Sequence, residues 1–154
     1  MRYFLDTEFN GFDNELISLA LVGEDGRSFY AVMDCKNPQP WVAEHVMPFL
    51  YNVPDTVSIL RPNDRKDLAT RLASFMNQDR DEQCVVYADW PDDFRLFYQS
   101  FTHGAGMMSN VRSFGTQMLR IDTKLSPIEN EYPHNAWWDA TVYGETFKLL
   151  INSG

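Results

Sequence analysis

The chain is poor in cysteine, in histidine and in positive charge. Its 154 residues include only two cysteines, Cys35 and Cys84. They stand far apart and fit no metal-ligand spacing, which excludes a structural zinc site and a disulfide framework. Cys84 opens the apolar run Cys84-Val85-Val86-Tyr87 and reads as a small buried hydrophobe. No apolar run approaches the ~20 residues of a membrane-spanning helix. The start, MRYFLDTEF, places carboxylates inside a short apolar run after one basic residue. That is not a secretory leader, so the expected address is cytoplasmic, with no membrane partner. Lys and Arg number 13 against 22 Asp and Glu, a net charge of −9. A protein that captures nucleic-acid backbones by charge alone should be basic. That exclusion does not reach an enzyme whose bound metal ions supply the positive charge.

What is present is core-forming material. Hydrophobic residues make up 44% and aromatics 14% of the chain, enough for one globular domain over residues 1–154. No internal repeat or low-complexity tract interrupts it. Tyr3-Phe4-Leu5 reads as a short strand ending in Asp6-Thr7-Glu8, and residues 15–23, ELISLALVG, as a second strand. Asp25-Gly26 is a hairpin signal, and residues 28–33 return as a third strand. Residues 41–50 show helical spacing at Trp41, Val42, His45, Val46 and Phe49, with Pro48 disturbing the end. Asn63 is placed to cap a helix over 64–77. Val85–Ala88 lacks polar alternation, as a buried parallel strand does. A helix from Pro91 or Asp92 to Phe101, a loop at 103–106, a strand near 117–122 and a final helix over 135–151 complete the order. Three antiparallel strands followed by helix-linked strands predict an α/β fold with a mixed sheet flanked by helices.

Three acidic segments carry the chemistry. On a strand, residues i and i+2 share a face, so the carboxylates of Asp6 and Glu8 converge as ligands of a hard cation must. Alone the pair says little, because ~0.7 such pairs are expected by chance. Asp13-Asn14-Glu15 is a second one that reads as a solvated loop. Asp89, Asp92 and Asp93 follow the buried strand. Their bland role is helix capping; their functional one is to turn towards Asp6 and Glu8, since open α/β sheets gather sites at strand ends. His134-Asn135-Ala136-Trp137-Trp138-Asp139-Ala140 sets a His just before a helix and an Asp five positions later. About 0.3 such pairs are expected by chance. Ala136 and Ala140 would let that helix lie close to the sheet.

DTEF on the first strand, an Asp after a later strand and HNAWWDA opening the last helix resemble the three motifs of the DEDD 3′→5′ exonucleases. The HxxxxD spacing is that of their histidine subclass, which includes proofreading epsilon subunits, ribonuclease T and oligoribonuclease. FLDTEF followed by ELISLALVGEDGRSFYAV resembles most a compact bacterial exoribonuclease branch. The motifs span residues 4–140. The resemblance implies a ribonuclease-H-like fold with a five-stranded mixed sheet. It implies Asp6, Glu8, Asp93 and Asp139 as metal ligands and His134 as general base. Asp93 leaves Phe94 and Phe97 free to pack, whereas the family has an aromatic residue before this Asp; Asp89 and Asp92 stay open as alternatives.

The implied reaction is hydrolysis at the 3′ end of a single-stranded nucleic acid, RNA rather than DNA. Two Mg²⁺ or Mn²⁺ ions would serve it, since two cations stabilise both the attacking and the leaving oxygen. Phe9 and Phe12 follow the first motif, where a terminal base would stack; core packing is the bland role of Phe9. One of Trp137 and Trp138 is expected to pack and the other to line the site. Arg112, Arg120 and Lys124 are candidates for backbone phosphates or plain surface charges. Residues 103–130 are expected to offer a homodimer interface. The competing reading is a catalytically silent ribonuclease-H-like domain that binds a nucleotide or a protein.

Overall fold

The structure, a computed structural model, describes residues 1–11, 15–121 and 126–153. The central strand β1, Arg2–Phe9, is longer than its apolar triplet implied, so Asp6 and Glu8 lie within it rather than past it. β1 pairs antiparallel with β2, Leu16–Gly23, which pairs antiparallel with β3, Ser28–Val32. Asp25-Gly26 makes the turn, with Gly26 at φ 87, a left-handed conformation that glycine adopts without strain. β4, Ile59–Leu60, joins parallel to β3. β5, Val85–Ala88, lies parallel to β1 as expected of a buried run.

The sheet has six strands, not five. β8, Gly115–Met118, pairs parallel with β5 two residues earlier than the sequence predicted. The order is β4-β3-β2-β1-β5-β8. β4 escapes sequence reading because two residues hold no period. Residues 103–106 are not a plain loop: β6, Thr102–Gly104, and β7, Met107–Met108, form a separate antiparallel ribbon.

Four helices pack on the sheet. The predicted helix over 41–50 splits into α1, Pro40–His45, and a 3₁₀ turn, Met47–Phe49, because Pro48 cannot donate the bond that would continue it. α2 is Arg65–Gln78, and its cap is Asp64 rather than Asn63: Asp64 accepts the backbone N–H of Asp67. The Asn63 N–H instead donates to the Asp67 side chain, 2.9 Å. α3 is Pro91–Gln99. α4 is Ala136–Asn152, capped by Asn135. Leu150 shares helical spacing with Ala136, Ala140, Tyr143 and Phe147, yet it is exposed.

Strand alternation sorts the core into two layers. Tyr3, Leu5, Leu19, Leu21 and Val86 pack with Leu68, Leu72 and Met76 of α2 and Phe97 of α3. Ile17, Ala20 and Tyr30 pack with Val42 of α1 and with Ala136 and Ala140 of α4. Phe4 meets Tyr143 and Phe147 of α4. The side chains of Asp6 and Glu8 share the Phe4 face of β1, so they project towards α4; Thr7 projects towards α3. Ala136 and Ala140 are fully buried, and a Cβ at Gly144 would come within 2.7 Å of the Phe4 ring. These three small residues, four apart, bring α4 close to β1. Both cysteines are buried free thiols. No described helix is long and apolar enough to cross a membrane.

Candidate active site

Close approach of α4 brings Asp139, in its first turn, over the carboxylates of β1. Oxygens of Asp6, Glu8 and Asp139 lie within 4.8 Å of one another. Asp6 Oδ2 is buried without a hydrogen-bond partner. An orphaned carboxylate oxygen facing two other carboxylates is a costly arrangement, and a divalent cation is the partner that would satisfy it. None of Asp6, Glu8, Asp93 and Asp139 forms an ion pair with a described Lys or Arg.

Asp93 stands outside that group of oxygens, on the opposite face of β1. It lies in the first turn of α3, 2% exposed, and accepts both the hydroxyl of Thr7 at 2.6 Å and the Thr7 backbone N–H at 3.1 Å. Thr7 thus ties α3 to the strand between the two β1 carboxylates. The other two candidates behave differently. Asp92, half-buried, is held by Arg95 at 3.0 Å and by the Trp90 indole. Asp89 lines a cavity of about 430 Å³ together with Asp6, Asn130, His134 and Asp139.

Crowding and burial raise the carboxyl pKa values. Burial pushes Asp6 well above the usual carboxylate range, and the charges of Asp93, Asp139 and Glu8 add to it. Glu8 is raised by burial and then by Asp139 and Asp93. Burial takes Asp93 to about 7 against the opposing hydrogen bond from Thr7. Asp139 is pushed by burial to about 6, held back by Asn130 and the His134 N–H. Both Asp139 oxygens accept from the preceding loop, Oδ1 from the Asn130 amide and Oδ2 from the His134 backbone at 3.1 Å.

His134 stands exposed at the cavity edge with φ 65, the left-handed region, and is the one such non-glycine residue among those described. Such a conformation costs on the order of 1–3 kcal/mol and persists where the surroundings impose it. Here Asn135, fully buried, imposes it: its side chain caps α4 through the N–H groups of Trp137 and Trp138 and donates to Phe49 O at 2.7 Å. The His134 ring packs edge-on against Trp41, centroids 5.0 Å apart, and Trp41 stacks on His45 at 4.7 Å. Burial and then the nearby His45 lower the His134 pKa, which favours the neutral imidazole.

Several expectations do not gather here. Phe9 is half-buried at the end of β1, beyond a register irregularity at Glu8/Phe9. Phe12 and Lys124 lie outside the described residues. Neither tryptophan of the last motif lines the acidic cavity. Trp137 packs in the core, and Trp138 donates its indole N–H to Asn52 O at 2.7 Å beside a separate hollow. Arg112 is engaged with Asp79 at the far end of the molecule. Sequence reading missed Trp41, which is 51% exposed although it sits at helical spacing with buried Val42 and Val46. It also missed Asn130, for which residues 107–130 hold no pattern.

No protein-family model matches the chain. Over 93 residues it is 38% identical to proteins named 3′-5′ exoribonuclease from Mycobacterium tuberculosis strains H37Rv and CDC 1551. The match covers 57% of this chain and 53% of each relative. The chain therefore spans about half the length of the curated relatives it matches.

Proposed function

We propose that the chain removes nucleotides from the 3′ end of single-stranded RNA, as a metal-dependent exonuclease of the DEDD histidine subclass. The observation that carries this is the convergence of Asp6, Glu8 and Asp139, with one buried oxygen of Asp6 left without a partner. The names of the relatives support the 3′ end and RNA.

In this reading Asp6, Glu8 and Asp139, with Asp93 from α3, hold two Mg²⁺ or Mn²⁺ ions. All-oxygen ligands suit those hard cations, which when bound activate water and offset charge on the phosphate. Asp93 is preferred to Asp92 because Arg95 neutralises Asp92, and to Asp89 because Thr7, set between Asp6 and Glu8, holds the Asp93 carboxylate by two hydrogen bonds. His134 serves as general base: its neutral ring at the cavity edge takes a proton from the attacking water as the water oxygen bonds to phosphorus. The P–O bond to the 3′ oxygen of the remaining chain breaks, releasing a nucleoside 5′-monophosphate. Trp41 keeps the imidazole in place through its ring contact, and its exposed face suits a terminal base.

The test is a 5′-labelled single-stranded RNA with Mg²⁺, Mn²⁺ or chelator, beside a DNA of the same sequence and a circular RNA. A ladder shortening from the 3′ end only with metal is expected. Cutting of the circular RNA overturns exonuclease action. No metal-dependent cutting leaves the silent binding domain.

A further inference from the structure

A second exposed indole stands one residue beyond the cavity lining. Trp90, between β5 and α3, is 47% exposed, and the Arg120 guanidinium lies over its ring, 5.7 Å from the centroid. Asp89, the residue before Trp90, lines the acidic cavity. The Arg120 charge is felt at Asp89, where it opposes the effect of burial. The indole is fixed by its N–H bond to Asp92, 3.3 Å, and Asp92 is fixed in turn by Arg95. Arg120 follows β8 and Trp90 follows β5, whereas Trp41 lies on the α1 side, over β2 and β3. The two exposed indoles therefore flank the carboxylates on opposite sides along the sheet.

Charge decides what could lie against the second indole. Five of the nine arginines in this −9 chain are matched to carboxylates: Arg2 to Glu24, Arg27 to Asp25, Arg71 to Asp67, Arg95 to Asp92 and Arg112 to Asp79. Arg120 is exposed and forms no ion pair with a described carboxylate. A cation without an ion pair among the described residues, beside an acid cavity and over an exposed aromatic, matches an anion joined to a flat ring. A nucleotide of a single strand is both: any base stacks on an indole, and a guanidinium pairs with phosphate.

We infer that Trp90 and Arg120 form a second nucleotide position, in which the indole stacks a base of the substrate strand 5′ to the scissile bond and Arg120 binds its backbone phosphate. This rests on the nuclease reading above and adds where the rest of the strand runs. The test is fluorescence anisotropy of a 5′-labelled mixed-sequence RNA of about eight nucleotides, in Ca²⁺, repeated over a salt series. Trp90→Ala should weaken binding about fivefold or more, as loss of one base–aromatic stack does, and Trp90→Phe should restore most of it. Arg120→Gln should lower the salt slope, log K against log salt, by about 0.7, one single-strand phosphate. Lys148→Gln removes the same charge where the ammonium pairs with Glu145, and should leave the slope unchanged. Melting temperatures check that each variant is folded. This pattern supports the second position even if the wild type never shortens RNA, a result that would sink only the proposed activity. Binding of both Trp90→Ala and Arg120→Gln at wild-type strength and slope overturns it. So does an equal slope change in Arg120→Gln and Lys148→Gln, or a wild type that binds no RNA.

Discussion

The two ends of β1 are both crowded with acids, and they handle them in opposite ways. At the Arg2 end, Glu24 pairs with Arg2 at 3.1 Å, Asp81 with the N-terminal ammonium at 2.9 Å, and buried Asp79 with Arg112 at 3.5 Å. Arg112 also donates to the backbone carbonyls of Asp79 and Asp81. At the Glu8 end, Asp6, Glu8 and Asp139 meet, with Asp93 held by Thr7 on the other face of the strand, and the donors to these acids among the described residues are neutral: Thr7, Asn130 and the His134 backbone. The first end holds its acids with the protein's own cations, and even Asp79 Oδ2, buried without a hydrogen bond, has the Arg112 guanidinium at 3.5 Å. The second leaves them unbalanced, which destabilises the fold and is the imbalance that the proposed cations would offset. Cations alongside, rather than the number of acids, separate a structural cluster from a candidate active site in this chain.

The sharpest way to break the contrast is activity. His134→Ala should cut kcat by ~10²–10⁴-fold, the usual contribution of a general base. It should keep the response to Mn²⁺, because His134 is not placed as a ligand. Asp6→Asn should cut activity further and lose that response. Rates on labelled RNA, with melting curves in Mn²⁺ and in chelator, check both. A His134→Ala enzyme with near-normal turnover would make that residue structural.

Stability tests the other end. Asp79 is buried and Arg112 is largely shielded, so Arg112→Ala leaves a buried carboxylate and two carbonyls without their donor. Its cost should be about 3 kcal/mol by denaturant unfolding, with the Mn²⁺ response intact. Conversely, Mn²⁺ at 100 times its dissociation constant should stabilise the wild type by about 2.7 kcal/mol. For a chain of this size that is a rise of roughly 5–11 °C in melting temperature. Asp6→Asn should show much less of it. An equal rise in both proteins would mean that the carboxylates do not share a cation.

How far the sequence revealed this depended on period and length. β2 and β3 were legible because their apolar runs are continuous and the Asp25-Gly26 turn sits between them. α4 was legible from Ala136, Ala140, Tyr143 and Phe147. The two residues of β4 and the β6–β7 ribbon were not, since their pairing is decided by distant partners. That Asp6 and Glu8 share a face follows from strand geometry alone. That Asp139 faces them does not: it depends on how near α4 approaches, which only the small residues Ala136 and Ala140 hinted at. The choice among Asp89, Asp92 and Asp93 rested on side-chain partners, Thr7 and Arg95, that no spacing reveals. Trp41 was read as part of an apolar stripe because helical spacing cannot tell its edge from its centre.

The smallest expected effect is the most specific to the unbalanced end. Asp93 and Asp139 have carboxyl pKa values raised to about 7 and about 6 in the folded protein, against ~3.9 for an unfolded aspartate. Between those limits the folded state binds more protons than the unfolded one, so stability falls as pH rises. In chelator, therefore, the protein should become more stable on acidification from pH 7 towards pH 5, by on the order of 1 kcal/mol once the carboxyls compete for protons. Saturating Mn²⁺ should flatten that trend, because bound cations hold the carboxylates ionised. Asp93→Asn, measured in chelator, should be more stable than the wild type at pH 7.5 and show a shallower pH dependence. The Arg2 end behaves differently, since its carboxylates already face cations and Arg112→Ala should lower stability at pH 7.5. Unfolding curves of both variants at pH 5 and pH 7.5 decide it. If Asp93→Asn were the less stable of the pair at pH 7.5, the Asp93 carboxylate would be a structural anchor for Thr7 and not a member of the candidate metal site.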